Sequence, residues 1–410
     1  MKSKVLLVSK FYYRRGGACV YVLNLERLLL DRGHEVAVFA MDYGLNEPSR
    51  WSGFFAPEVK FFGRDAHLLP AARRVLGIGD VKARFSAIVD RVRPDVVHLN
   101  NIHSYLSPVV AAIAHERGIR VVWTLHDYKL VCPAYSCRRN GVDCTDCFGN
   151  RLHNVLLHRC MKHSVKASAL AFAEAWRWRR TVLERCVDAF ICPSRFMADV
   201  MIRAGYDARK IHVVCNFVDE SPAGRGDAAS RRGDYCCYAG RLSEEKGVDT
   251  LLKAATMSSL PLKVAGEGPL SDELRGRYAD CLNVEFLGKL DRAGVMELLR
   301  GARFSVVPSE CWENNPLSAI ESLSCGTPVV GAATGGIPEL IDDGNGRLFM
   351  SGDVDDLAWT MKEEWRSLRD NEAIARDARA RFSASRHYDS LMSIYIAVHE
   401  DIRIRHTRHS

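Results

Sequence analysis

Two glutamates eight positions apart, Glu313 and Glu321, enclose Asn314-Asn315-Pro316-Leu317, a stretch that reads as the start of a helix. A strand-like run from Phe304 to Pro308 ends just before them, and Pro316 suits a first helical position behind an asparagine cap. Glu313 then lies in the loop and Glu321 inside the helix, separated by roughly 8 to 12 Å along the axis. Carboxylates so placed can hold two hydroxyl-bearing parts of one ligand. The free amides and partial positive charge of the helix N-terminus between them can hold a phosphate or diphosphate. A nucleotide sugar has that layout. Acids flanking a helix start also occur as plain caps and solvated faces, so the neighbouring motifs have to decide.

Downstream, the apolar run at Val329-Val330 gives way to Thr334-Gly335-Gly336-Ile337-Pro338-Glu339, a Gly-Gly turn leading into a second Pro-started helix. Two successive helix N-termini can face one anion. With these motifs the chain resembles family 4 of the retaining nucleotide-sugar glycosyltransferases, whose signature pairs Glu-x7-Glu with Gly-Gly-x-Pro-Glu. The resemblance covers nearly the whole chain. Arg241 and Lys246, in Ala239-Gly240-Arg241-Leu242-Ser243-Glu244-Glu245-Lys246-Gly247, are similar to the family's Arg and Lys that hold the donor diphosphate. Fixed cations in a dry cleft stabilise the charge that gathers on a departing nucleoside diphosphate. Arg14-Arg15-Gly16-Gly17-Ala18 resembles the family's glycine loop, where the amides of Gly16 and Gly17 approach the donor phosphates.

The resemblance implies a role for each of these positions. Glu313 contacts the donor sugar and Glu321 the ribose hydroxyls, while Asn314, Asn315, Pro316, Leu317, Gly335 and Gly336 complete the donor side. It also implies transfer with retention of anomeric configuration, no obligatory metal, and a leaving phosphate that takes the acceptor's proton. A nucleophilic Glu313 stays open as another mechanism. His126, in Thr124-Leu125-His126-Asp127-Tyr128, ends the apolar run Val121 to Leu125, where parallel sheets present ligand-facing residues. It matches a histidine that faces the donor sugar from the N-terminal half. Asp127 either orients His126 or meets the acceptor, and His98, Asn100 and Asn101, placed alike after Val96-Val97, are expected on the acceptor side.

The elements that must carry these residues alternate strand and helix over 410 residues, an α/β pattern long enough for two domains with parallel sheets covered on both faces. Buried strands are expected at Lys4–Ser9, Glu35–Met41, Val96–Leu99, Val121–Leu125, Ala189–Cys192 and Ile211–Cys215. A second set is expected at Tyr235–Ala239, Leu262–Ala265, Val284–Leu287, Phe304–Val307, Val329–Gly331 and Gly346–Phe349. Residues 221–233, poor in apolar side chains and rich in Gly and charge, read as a linker. The resemblance implies the GT-B arrangement, two Rossmann-like domains facing each other across a cleft. Residues 1–220 form the acceptor side, 234–381 bind the nucleotide sugar, and a helix at about 382–405 crosses back. Gly266-Glu267-Gly268-Pro269 lacks the third glycine of a dinucleotide fingerprint, which argues against a nicotinamide enzyme. A UDP- or GDP-sugar is the implied donor. Base contacts near Gly288–Leu290 are expected through the backbone, which leaves no code to choose between the two.

Of fourteen cysteines, Cys132, Cys137, Cys144, Cys147 and Cys160 cluster, and the two-residue gap between Cys144 and Cys147 suits a metal knuckle. A structural zinc on Cys137, Cys144, Cys147 and Cys160 is one account, with His153, His158 and His163 as substitute ligands. The formal charge is +7, and residues 151–185 hold eight Lys or Arg against two acids, interleaved with Leu152, Val155, Leu156, Leu157, Trp176 and Trp178. Such a stretch can rest on an anionic membrane at ~1 kcal/mol per basic residue, or it is a solvated face over core tryptophans. The glycan acceptor is then expected to be a polysaccharide or lipid-linked. One basic patch without a groove-reading motif argues against nucleic acid. No apolar run nears the ~20 residues that span a bilayer, so a cytoplasmic protein, peripheral on the inner membrane face, is expected. Two other readings stay open: a nucleotide-sugar epimerase or hydrolase on the same fold, and an inactive scaffold in a polysaccharide assembly complex.

Overall fold

The computed structural model describes residues 2–61, 68–218 and 232–407. Strands are numbered along the chain: β1 (Lys4–Val8), β2 (Glu35–Phe39), β3 (Val96–Leu99), β4 (Arg120–Thr124), β5 (Arg138–Arg139), β6 (Val142–Asp143), β7 (Ala189–Cys192), β8 (Ile211–Val213), β9 (Cys236–Ala239), β10 (Leu262–Ala265), β11 (Val284–Gly288), β12 (Ser305–Val307), β13 (Val329–Ala332) and β14 (Gly346–Phe349). The twelve strands expected from apolar runs all form, within two residues of the expected limits. Runs such as Lys4–Val8 are buried on both faces from the second residue onward, the pattern of a parallel sheet covered by helices above and below.

The chain divides into two compact units, Met1–Val214 with Tyr388–Ser410, and Cys215–His387. The first contains a six-stranded sheet in the order β2-β1-β3-β4-β7-β8, the second one in the order β11-β10-β9-β12-β13-β14. All recorded pairings in both sheets are parallel. In each sheet the strand order reverses once, between β1 and β3 and between β9 and β12. Parallel sheets bind ligands at the C-terminal ends of the strands beside such a reversal. Of the linker expected over 221–233, only Arg232 and Gly233 are described.

The helix Ala384–Thr407 begins two residues after the expected start, because Phe382 caps the preceding helix Asn371–Arg381. From Tyr388 onward it belongs to the first unit. There it hydrogen-bonds that unit's histidines, Tyr388 Oη to His34 Nε2 at 2.9 Å and Tyr395 Oη to His98 Nδ1 at 2.6 Å. The short antiparallel pair β5–β6 gave no sequence signal, since its two-residue strands are polar and barely alternate.

Candidate active site

In the second unit the loops that follow β9 and β12 meet at the reversal. Lys246 Nζ forms an ion pair with Glu313 Oε1, and Ser309 Oγ donates to the same oxygen at 2.7 Å. Burial alone would depress the Lys246 ammonium, but the neighbouring Glu313 carboxylate outweighs it and the net shift is upward. Lys246 therefore stays cationic at neutral pH. Five positions earlier Arg241 is exposed, and its guanidinium has no ion-pair or hydrogen-bond partner among the described residues. One paired and one unpaired cation thus stand at the end of this sheet.

The backbone around Glu313 is held by the Gly-Gly turn. Gly336 N donates to Glu313 O at 2.6 Å. Gly335 adopts φ +58°, and a Cβ there would lie 2.3 Å from Glu313 O. Only glycine combines that left-handed conformation with so close an approach. These two glycines, expected to meet the donor, are thus seen to clasp the loop that carries Glu313. The second Pro-started helix is reduced to the single turn Ile337–Glu339, because the chain at once enters a turn at Asp342–Asn345, closed by Asn345 N to Asp342 O at 3.1 Å.

The helix Leu317–Ser324 opens with Pro316 as N-cap and has no side-chain cap. The asparagine expected to cap it is engaged elsewhere: Asn315 Oδ1 accepts from Asn216 N at 2.9 Å, and Asn216 Nδ2 donates to Asn315 O at 2.8 Å. Pro316 accordingly sits outside the helix rather than at its first position. Two buried polar atoms beside this uncapped start, Asn314 Oδ1 and Asn315 Nδ2, have no hydrogen-bond partner among the described residues. Buried polar atoms normally find partners, so these two stand out. Glu321 lies one turn into the helix; burial pushes its carboxyl up, against the opposing charge of Arg292.

In the first unit the ends of β1, β3 and β4 bring together a second group. His126 Nε2 lies 3.0 Å from Asn100 Oδ1, and since a carboxamide oxygen only accepts, Nε2 carries the proton and Nδ1 is an acceptor. Tyr21 packs edge-on against the ring at 5.0 Å. Burial pushes the His126 pKa down to about 4, so the imidazole is neutral. Asn100, fully buried, orients His126 instead of lining an open site. His98 is likewise withdrawn: it is fully buried, with Nδ1 at Tyr395 Oη and Nε2 2.7 Å from Thr124 Oγ1. The acceptor-side placement expected for His98 is corrected to a sheet-to-helix tie. Asn101 Oδ1 is buried without a partner among the described residues. Gly16 and Gly17, both exposed, open the helix Gly17–Asp31 without a side-chain cap.

Sequence spacing missed the cluster beside them. Lys10, His103, Asp127, Lys129 and Glu174 line one cavity of about 810 Å³ at the ends of the same strands. Glu174 accepts from Ser104 N at 2.5 Å and Ser104 Oγ at 2.8 Å, and pairs with Lys129 Nζ at 3.2 Å. Asp127 accepts from Lys129 N at 3.0 Å and faces His103 Nε2 at 3.8 Å. Burial works to raise both carboxyls but is overcome, mainly by His103 at Asp127 and by Lys129 at Glu174, so each titrates below its ordinary range. The available signals were Lys10 directly behind the apolar run of β1, and Glu174 as a lone acid on the apolar face of the helix Val165–Arg177.

The expected zinc set is divided. Cys144, Cys147 and Cys160 line a small cavity of about 20 Å³ together with Cys132, whereas Cys137 is fully buried and hydrogen-bonded through sulfur to Cys132. Among the described residues no group of three or more His, Cys, Asp or Glu is disposed to hold a metal ion. The basic stretch 151–185 also splits. Leu152, Val155 and Trp178 turn inward, Trp178 Nε1 donating to Val75 O at 2.7 Å, while Leu157 and Trp176 stay exposed. No helix among the described residues is long and apolar enough to cross a membrane.

Comparison with known proteins gives this geometry a family. Residues 15–221 match Glycosyltransferase Family 4, and residues 228–381 match Glycosyl transferases group 1. A D-inositol 3-phosphate glycosyltransferase of Mycobacterium sp. (strain KMS) is 32% identical over 380 residues, 84% of this chain and 77% of its own. Among solved structures, Anabaena HepE in complex with UDP-glucose superposes with TM-score 0.64 at 18% identity, over 98% of this chain and 99% of its own. The lipopolysaccharide outer core galactosyltransferase WaaB gives 0.63 at 15% identity, over 95% and 99%. The parallel sheets and these neighbours give the chain the two-domain GT-B fold, and the chain belongs to glycosyltransferase family 4.

Proposed function

We propose that this protein transfers a sugar from a nucleoside-diphosphate sugar to a glycan or lipid-linked glycan acceptor with retention of configuration. The observation that carries this is the group at the end of the second sheet: the Lys246–Glu313 pair, the unpartnered Arg241 and the idle Asn314 and Asn315 atoms beside an uncapped helix start. A diphosphate seated there meets two cations and free helix amides, and the ribose reaches toward Glu321 one turn on. The bond between the anomeric carbon and the diphosphate oxygen breaks, and the leaving charge falls on Arg241, Lys246 and the amides. The acceptor oxygen attacks from the same face and its proton passes to the departing phosphate. Glu313 is engaged by Lys246 and Ser309, which suits a carboxylate that steadies the donor sugar better than a free nucleophile. His126, neutral, offers Nδ1 to a sugar hydroxyl.

A uridine donor is supported by the neighbour bound to UDP-glucose, and a cell-surface glycan product by the lipopolysaccharide galactosyltransferase. Exposed Leu157, Val165 and Trp176, set among basic side chains, support residence on the inner face of an anionic membrane. Liposome flotation that shows no dependence on anionic lipid would remove that part.

Thermal stabilisation by UDP, GDP, ADP, CDP and dTDP tests the donor site. A ligand at about 100 times its dissociation constant adds ~2.7 kcal/mol to the native state. One nucleotide is expected to shift the midpoint, with Lys246→Ala and Glu321→Ala each weakening the shift. Lys246→Ala is expected to cost on the order of 10² to 10³ in rate. No shift with any of the five in folded protein would reject the proposal.

A further inference from the structure

The cavity of the first unit has a chemistry of its own. Its volume of about 810 Å³ suits a small-molecule ligand. Lys10 closes one end, its Nζ 5.5 Å from the ring centroid of Phe11 and 5.2 Å from that of Tyr105. No carboxylate among the described residues lies within ion-pair distance of it, and it has no hydrogen-bond partner there. Burial holds this ammonium below the ordinary lysine range, with Asp127 the strongest opposing charge. A cation stripped of water and left facing ring faces is stabilised by any anion brought to it.

The cavity's own carboxylates are already engaged, Glu174 by Ser104 and Lys129, and Asp127 by Lys129 N and His103. Its lining carries four lysines, Lys10, Lys129, Lys162 and Lys166, against those two acids. His103 adds no charge at neutral pH, since burial pushes its pKa down to about 4. No arginine among the described residues lines it. Compact ammonium groups bind phosphate as point charges, and several converging on one cavity suit its multiple negative charge. Phe61, Val75 and Leu170 supply apolar wall for the remainder of the ligand.

We infer that this cavity receives an acceptor bearing a phosphate ester or diphosphate, with Lys10 as the inner anchor and Lys162 and Lys166 at the exposed rim. The assignment rests on the glycosyltransferase proposal, and it narrows the acceptor to a phosphorylated class. A soluble sugar phosphate and a prenyl-diphosphate-linked sugar share the chemistry.

The test is calorimetric binding to the full-length protein with the donor site saturated by whichever nucleoside diphosphate binds. The probes are inorganic phosphate, glucose 6-phosphate, glucose, glucuronate and a short-chain prenyl-diphosphate N-acetylglucosamine in detergent. Phosphorylated probes are expected to bind roughly 10- to 100-fold tighter than glucose, with Lys10→Met abolishing the difference and Lys166→Glu, an exposed change safe for folding, reducing it. Preference for the prenyl diphosphate over the soluble phosphate assigns a lipid-linked acceptor, and the reverse assigns a soluble one. Equal binding of glucose and its phosphate, glucuronate matching phosphate, absence of binding by every phosphorylated probe, or full retention in both variants overturns the inference. Nucleotide binding is read on the same samples. If it persists while phosphate discrimination is absent, only the cavity assignment fails; if no nucleotide binds at all, the glycosyltransferase proposal itself fails.

Discussion

Both sheets present a group of charged residues at the reversal of strand order, but they hold it by different means. In the second unit the backbone does the holding: Gly335 and Gly336 press against the main chain of Glu313, and Lys246 and Glu313 remain partly open to solvent. In the first unit side chains do it, with Lys129 and Glu174 at 7% and 5% exposure locked to each other and to Ser104. A loop fixed by main chain can leave its cations free to meet a ligand. A pocket fixed by buried charge pairs has its shape and its stability tied together.

Breaking a pair in each unit should therefore have opposite consequences. Lys129→Met strands the Glu174 carboxylate in the interior and should cost about 3 to 5 kcal/mol, read as a urea midpoint. Lys246→Ala leaves Glu313 with Ser309 and access to water, and should cost about 1 kcal/mol or less in stability while cutting the transfer rate. Equal destabilisation by the two changes would erase the contrast.

Acid should separate the units next. His103 and His126 titrate at about 4 in the folded first unit against 6.5 for the free side chain, whereas His387 is the sole histidine of the second and is also depressed to about 4. Between those values the unfolded chain binds more protons, so stability is full above pH 6.5 and falls as pH drops toward 4, by roughly 1 kcal/mol per pH unit for each histidine. Asp127 and Glu174, held below their ordinary range, extend the loss to lower pH as they protonate. Peptide-resolved proteolysis in urea at pH 7 and pH 5 should show the first unit weakening more; a parallel loss in both would count against the neutral buried histidines.

Glycine changes give the finer comparison. Gly335→Ala adds a Cβ 2.3 Å from Glu313 O at φ +58° and should destabilise by about 2 to 3 kcal/mol. Gly16→Ala meets nothing within 4 Å in an extended conformation and should change stability by about 0.5 kcal/mol or less. A rate loss in Gly16→Ala without a stability loss would mark Gly16 as a point of ligand approach; an unchanged rate would remove it from the donor site.

The same contrast explains what the sequence made legible. Buried parallel strands are written as short apolar runs, and Lys246, Glu313 and Gly335 each sit in a contiguous motif, so the resemblance of those motifs could pick them out. Lys10, His103, Lys129 and Glu174 belong to separate segments, and only the fold unites them. His98 misled because its place after an apolar run looked like that of His126. What separates them is Tyr395, nearly three hundred residues away, which no local pattern announces. Asn315 misled as a cap for a similar reason, its partner Asn216 lying 99 positions upstream. Cys144 and Cys147 had knuckle-like spacing, but Cys137, expected to complete the set, is fully buried and hydrogen-bonded to Cys132.

The bond from His98 to Tyr395 spans 297 positions, and it also sets an order in time. The hydroxyl of Tyr395 that meets the buried imidazole of β3 is made roughly 15 to 60 s after it at common elongation rates. Until then the nascent first unit carries an unmet polar group at the centre of its sheet. A chain stalled just after His387 would have every residue of the second unit and the first still waiting, so of the two units the one made earlier is the one that finishes folding later.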